Sequence, residues 1–527
     1  MDATATITAG ALQPPAKTGF NKRHLAAFLF MVFGMFMAIL DIQIVSSSLA
    51  EIQAGISASA DEISWVQTSY LIAEVVMIPL SGMLSRILST RILFTASAIG
   101  FTAMSFMCAM SGSINEMMVW RALQGFVGGA MIPTVFAVTF TVFPADKRLI
   151  ITPVIGLIAT LAPTIGPTVG GYLTELFSWH WLFLINVIPG IAVAIGAWLL
   201  IDFDKPDFKL ARTFDWAALA LLAVFLGTLE YALEEGPGEN WFESSLILTL
   251  VLICVTSGIA FFWRVLTSDH PLVDFTAFRN RNFVSGSIFS FTMGIGLYGL
   301  TYLYPVYLAR VHNYSALQIG ETLFVTGVAM FLTAPVAGRL SARLDPRLMI
   351  GLGFAGFGIG TWMASAITVD WSYSELLIPQ ILRGVSLMLC MVTITNVSLG
   401  TLSPMQLRGA SGLFNLTRNL GGAVGLAIIN TVMNDRMDLH LARLHDAVSW
   451  GRPVAESTLS NMTAALAPLG SDAGSAALMR LAGVVRRQAM TMAIADVFLL
   501  LTLLFFGIIL LLPLMRKPSA AAGGSGH

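Results

Sequence analysis

The sequence predicts an all-α membrane protein of fourteen transmembrane helices, twelve of them in two related six-helix bundles with two more inserted between. Three observations carry the prediction. The 527 residues are 56% hydrophobic and only 11% charged, about half the charged share of a soluble chain, so lipid is the solvent that suits this surface. Apolar stretches of about 20 residues, the length that crosses a hydrocarbon core, recur along the chain. Lys and Arg concentrate in the loops on one side of those stretches.

The predicted spans are 25–49, 63–84, 92–110, 117–142, 150–172, 181–201 and 216–233, then 246–266, 283–307, 319–340, 349–367, 376–399, 410–432 and 490–514. The first run is too long for the core of a cleavable signal peptide and is expected to stay as an anchor. Short gaps make the bundle antiparallel. With the N-terminus placed in the cytoplasm, nineteen of the 29 Lys and Arg, from Lys17 to Lys517, fall in inside loops or at the inner ends of spans. The short outside loops then hold only Arg310 and are acidic at Asp61-Glu62 and Glu234-Glu235. This is the charge bias that orients membrane proteins, and it puts both termini in the cytoplasm, as tails 1–24 and 515–527.

The chain also repeats itself. The stretch from Gly82 to Arg91, with Arg86 inside it, aligns with Gly338 to Arg347 at an offset of 256 residues. Arg121-Ala-Leu-Gln-Gly125 aligns with Gln380-Ile-Leu-Arg-Gly384 at 259, and Arg148 with Arg408 at 260. Offset, loop side and order persist together, so the expected units are a bundle at 25–201, a linker with two helices at 202–282, and a bundle at 283–514 that includes a long outside loop at 433–489. Repeats of this kind place a substrate site at the interface of the halves, near the membrane midplane.

These residues resemble a known family. Gly82 to Arg91 is similar to the signature between spans two and three of the major facilitator superfamily, and Arg121-x-x-Gln124-Gly125 to its fourth-span motif. Pro163-x-x-Gly166-Pro167-x-x-Gly170-Gly171 resembles the fifth-span antiporter motif. Leu40-Asp41-x-x-Ile44-Val45, the run from Trp181 through Asn186 to Gly190, and Pro271-Leu-Val-Asp274 with Phe278 to Phe283 resemble fourteen-span drug:proton antiporters of the EmrB/QacA type, nearer to EmrB. The resemblance implies the major facilitator fold and export of amphipathic or hydrophobic compounds by alternating access. It implies a proton gradient as energy source and a bacterial inner membrane as location. Two departures stand out: Ser85 replaces the acid of the first-half loop signature, and Pro153 and Ala162 replace two glycines of the fifth-span pattern.

Charges within spans carry the chemistry, since each costs about 3 kcal/mol at the bilayer centre even on gentle scales. Asp41 and Arg121 lie at similar depth in the first half. Either Asp41 exchanges a proton, with Arg121 setting how readily it does so, or the two form a static ion pair. Glu74 sits nearest the midplane in an apolar stretch and is read as a second proton carrier or a contact for cationic substrate, against a merely packed, protonated side chain. Arg418 and Asn415 are candidate substrate contacts, against plain interhelical bonding. Arg383 is expected to mirror the structural part of Arg121, and Glu230, Glu321 and Asp496 are expected to snorkel to water near span ends. Pro163, Gly166, Pro167, Gly170 and Gly171 form a candidate conformational gate, the glycines admitting close helix approach and the prolines loosening the helix. Gly421, Gly422 and Gly425 show the plainer alternative of small-residue packing.

Other classes find little support. No phosphate-binding Gly-x4-Gly-Lys-Ser/Thr run occurs, and Gly351-x-Gly353-x-x-Gly356 lies inside an apolar span without a preceding strand. Cys108, Cys254 and Cys390 have no metal-ligand spacing, the seven His form no cluster, and a net charge of −1 gives no footprint for nucleic acid. No enzyme, cofactor or metal is therefore expected. A dedicated exporter of an endogenous metabolite such as a siderophore, an uptake symporter, and a receptor without turnover remain as alternatives. The loop at 433–489 is expected to continue span thirteen as an amphipathic helix through Leu439, Leu444 and Val448. By resemblance to EmrB-like transporters it is expected to meet a periplasmic adaptor that leads to an outer-membrane channel.

Overall fold

The computed structural model describes residues 22–516 except 60, 61, 269, 270, 342, 449 and 450. Lys17, Asp61 and Lys517, which entered the charge count, lie outside the described residues. The first half begins with α1 (Lys22–Ser47), a short α2 (Leu49–Ile56), α3 (Trp65–Leu88) and α4 (Thr90–Ala109). It continues with α5 (Ile114–Gly128) and α6 (Met131–Val142), then α7 (Ala145–Leu176), α8 (Trp181–Leu184) and α9 (Val187–Leu200). A hairpin of α10 (Trp216–Glu235) and α11 (Ser245–Thr267) follows. The remainder is α12 (Arg281–His312), α13 (Ala316–Ser341), α14 (Pro346–Ala364), α15 (Tyr373–Gly400), α16 (Pro404–Ala447), α17 (Pro453–Ala465) and α18 (Ala473–Ile509).

All fourteen predicted spans are helical. In hydrocarbon every backbone group must be satisfied within the protein, and runs of about 20 apolar residues do this as helices. Among the described residues, eleven helical stretches are long and apolar enough to cross a membrane, α5 with α6 and α8 with α9 each counting as one, or twelve if α7, bent by 45° between Ile150–Ala162 and Ile165–Leu176, counts as one span. The helices α14 and α16 occupy the places of predicted spans eleven and thirteen. Polar caps mark where the chain leaves the apolar layer: Asp215 accepts from the Ala218 N–H at 3.0 Å, and Ser372 with Glu375, like Ser403 with Gln406, closes a capping box. Ile188, Trp198, Ile259, Trp263, Leu332 and Trp362 stand exposed on the outer surface, as lipid-facing side chains do.

The bundle is laced by helix pairs: α12 on α16, α7 on α13, α14 on α15, and α3 on α5. The hairpin helix α10 packs on α3 and α16 rather than standing apart. Beyond predicted span thirteen, α16 continues to Ala447, as the amphipathic pattern predicts. The return helix differs from expectation: α18 starts at Ala473, well before the predicted 490, and packs along α16. Much of the long loop is therefore a helical extension. Its first step is fixed by Asp496, whose Oδ2 lies 2.8 Å from His440 Nε2 and 3.7 Å from Arg436.

Candidate functional site

Side chains from α5 and from the break between α8 and α9 converge on Asp41 of α1. The carboxylate of α1 is fully buried and lies 2.6 Å from Nη1 of Arg121, which is also fully buried on α5. One turn along α5, Gln124 donates from Nε2 to Asp41 Oδ1 at 3.2 Å and accepts from Arg121 Nη1 at 2.8 Å. At the break between α8 and α9, Asn186 donates from Nδ2 to Asp41 Oδ1 at 2.7 Å and to Ser105 Oγ at 3.1 Å. Arg121 Nε donates to the Val66 carbonyl of α3 at 3.1 Å, and its guanidinium stacks 4.2 Å from the Tyr70 ring. Such a charge pair tolerates burial because hydrogen bonds occupy the remaining lone pairs. Arg121 Nη2 has no hydrogen-bond partner among the described residues. The expected meeting of Asp41 and Arg121 is thus an observed ion pair. Asn186 carries no assigned role in the sequence reading beyond its place in the family-like run Trp181 to Gly190, where its signal is a lone amide among apolar residues.

Gly125 lets this network form. A Cβ there would lie 2.3 Å from the Tyr70 carbonyl oxygen, so only glycine brings α5 this close to α3. That contact fixes the height of Arg121 against Val66 and Asp41.

Glu74 lies one turn along α3 from Tyr70, almost wholly buried, and lines a cavity of about 500 Å³ between the helices. The cavity walls run from Glu74 up to Leu49, Ser64 and Arg310, at the end that the charge pattern assigns to the outside. Its apolar lining and few polar groups suit a drug-sized ligand. Arg418 and Asn415 do not line it: Arg418 Nη2 donates to Asn415 Oδ1 at 2.7 Å, and its guanidinium lies 5.5 Å from the Phe136 ring, buried beneath the wall. The next residue, Asn419, does line it and accepts from Tyr298 Oη at 3.3 Å. Helical rotation of about 100° per residue separates these two faces. Glu230 also departs from expectation. It does not snorkel; it is 7% exposed and lines the cavity from α10. Glu321 is exposed as expected. Arg383 is buried, donates to Thr301 Oγ1 and lies 5.8 Å from the Tyr304 ring, with no ion pair to a carboxylate among the described residues.

The fifth-span residues pack α7 against α1. A Cβ on Gly166 would meet Gln43 Cβ at 2.4 Å, and one on Gly170 would meet Ser47 Oγ at 2.8 Å. Pro167 lines the cavity, Gly171 is buried, and the side chain of Pro163 lies outside those described. Gly421 serves α16 in the same way, meeting Phe291 O at 2.0 Å if given a Cβ.

At the opposite end the halves touch. A Cβ on Gly82 would stand 2.9 Å from the Arg408 carbonyl. Ser85, where the signature has an acid, only donates back to the Gly82 carbonyl at 2.9 Å. An acid arrives from elsewhere: Asp204 accepts from Thr90 N and Oγ1 at 2.9 Å each and pairs with Arg408 at 2.9 Å. Arg86 is exposed, Arg91 stacks 5.2 Å from the Trp198 ring, Gly338 is buried in α13, and Arg347 donates to the Met515 carbonyl.

The sequence profile of the Major Facilitator Superfamily matches residues 31–426. The chain belongs to this superfamily, within its EmrB type. It is 41% identical over 492 residues to the colistin resistance protein EmrB of Acinetobacter baumannii, covering 93% of this chain and 95% of that one. Over the same shares it is 28% identical to the multidrug export protein EmrB of Escherichia coli K12. It is 29% identical to the fatty acid resistance protein FarB of Neisseria gonorrhoeae, over 95% and 97% of the two chains. Among solved structures, the human organic anion transporter MFSD10 aligns at a TM-score of 0.55 and 13% identity, over 94% of this chain and all of that one. A bacterial homolog of the lysosomal transporter Spinster, inward-facing and occupied, aligns at 0.56 and 13%, over 95% of this chain and all of that one. These two likenesses bear on the fold alone. An EmrB-type chain of this superfamily is a multi-pass membrane transporter.

Proposed function

We propose that this chain is a proton-coupled multidrug exporter that moves amphipathic and hydrophobic compounds outward by alternating access. The observation that carries the reading is the buried carboxylate of Asp41, bound at once to Arg121, Gln124 and Asn186, on a helix that also packs against the fifth-span glycines. A proton arriving at Asp41 neutralises it, and the ion pair with Arg121 loses its attraction. The helix α1 then no longer holds α5, and its contacts with Gly166 and Gly170 pass the change to α7 and the cavity wall. Glu74 acts as second carrier within the cavity. The names of the similar proteins, multidrug export and colistin resistance among them, support export.

The two six-helix halves, with α10 and α11 between them, rock about the cavity. Both termini lie in the cytoplasm of a bacterial inner membrane, so protons enter from the outside. An inward potential adds about 2.3 kcal/mol per charge per 100 mV to any exchange that carries positive charge inward. No cofactor is needed beyond the proton gradient. The extension formed by α16, α17 and α18 faces outward and meets a periplasmic adaptor that leads to an outer-membrane channel.

Purified protein in proteoliposomes tests the coupling. With an imposed pH gradient, wild type should move ethidium against its gradient and Asp41→Asn should not, although it inserts and folds. Normal pH-driven export by Asp41→Asn would overturn the proton role. Deleting 457–475 tests docking: transport in proteoliposomes should persist while resistance in a two-membrane cell disappears, and undiminished resistance would remove this segment as the docking site.

A further inference from the structure

The inserted helix α10 reaches the cavity with two acids that neither the ion-pair network nor the inner contacts use. Glu230 and Glu234 stand one turn apart on it, and both line the cavity with Glu74. Glu230 is 7% exposed and Glu74 4%. Neither takes part in a hydrogen bond or an ion pair among the described residues. A carboxyl group buried to this degree normally finds a partner in the protein. Here three carboxyls face the cavity against one guanidinium, that of Arg310, which is exposed at the mouth. Tyr298 and Tyr302 stand in the same wall, offering aromatic surface on which a cation can rest.

We infer that Glu230 and Glu234 form a subsite for the second positive charge of a dicationic amphiphile, whose first charge is met at Glu74. The inference rests on the exporter reading and names its substrate class. It also gives the α10–α11 hairpin a part in recognition beyond joining the halves. The Cβ atoms of residues four apart on a helix lie about 6 Å apart, so the pair receives one amidinium, guanidinium or quaternary ammonium group between them. An apolar spacer would run along the cavity wall to Glu74. A single-charge compound needs only one end of this arrangement and loses less when the α10 acids go.

The probes are dequalinium, with two fixed charges, and ethidium, with one. Binding to full-length detergent-purified protein is measured for wild type, Glu230→Gln, Glu234→Gln and the double variant. The double variant should bind dequalinium at least tenfold more weakly and ethidium no more than about threefold more weakly, with Glu230→Asp restoring part of the difference. Equal losses for both probes, or no loss for dequalinium, would overturn the subsite. A second measurement needs no variant: dequalinium should shield Glu230 and Glu234 of wild type from a hydrophobic carbodiimide, read by mass spectrometry, and equal labelling with and without it would also overturn the subsite. Failure of the exporter reading looks different. Wild-type proteoliposomes would then move neither probe under a pH gradient, while the binding ratios would still judge the subsite.

Discussion

Replacing Gly125 by Ala tests whether the contact between α3 and α5 sets the ion pair. The added Cβ would lie 2.3 Å from the Tyr70 carbonyl oxygen, 3.0 Å from its carbon and 3.0 Å from Cα of Tyr70. All three are backbone atoms, so no side chain can swing aside. Ordinary contact between carbon and oxygen needs about 3.3 Å, so α5 must retreat by about 1 Å. Arg121 sits one turn earlier on the same helix and moves with it. Its 2.6 Å contact with Asp41 would open to about 3.6 Å, beyond hydrogen-bond length though still an ion pair. Overpacking of this kind costs about 1–3 kcal/mol. The expected result is a lowered melting temperature in detergent together with impaired pH-driven export. Gly112→Ala is the control, because nothing lies within 4 Å of a Cβ there. Wild-type melting and export in Gly125→Ala would refute the claim that this approach positions Arg121.

Three further outcomes follow from the same geometry. Arg121→Lys keeps the charge but loses the fork that reaches Asp41, Gln124 and Val66 together, so the pH optimum of export should shift more than expression falls; loss of expression with an unshifted optimum would favour a static pair. Asp204→Asn removes the acid that joins Thr90 to Arg408; at about 1 kcal/mol for a partly exposed pair, labelling of a Cys placed at Ser85 from the inner side should rise about fivefold, and unchanged labelling would deny the latch. Asp215, just before α10, is held below the ordinary carboxylate range mainly by its hydrogen bond with Arg264. A depressed acid stabilises above its unfolded value of 3.8 and loses that contribution as pH falls through the folded value. Asn still caps a helix, so the gap in melting temperature between wild type and Asp215→Asn should hold from pH 5 to 8 and close below about pH 4; it should correspond to no more than about 1 kcal/mol, since Arg264 is half exposed.

The sequence by itself determined where the long apolar helices fall along the chain. Lipid imposes that through a local rule, roughly 20 apolar residues in a row with charges expelled to the ends, and 25–49 or 216–233 can be read without knowing any neighbour. The pairing of Asp41 with Arg121 was legible for the same reason, since two opposite charges at one depth in one half have few other partners. What the local rule leaves open is the rotation of each helix about its axis. That depends on which helix lies alongside, which is set by contacts as distant in the chain as Gly125 with Tyr70 or Gly82 with Arg408. Hence only the tertiary structure brought Asn186 to the Asp41 carboxylate, turned Arg418 beneath the wall while Asn419 faces the cavity, and supplied Asp204 where Ser85 replaces an acid. Glu230 shows the limit most plainly. Near a span end it has cheap access to water, but packing of α10 on α3 and α16 turns it inward to the cavity instead.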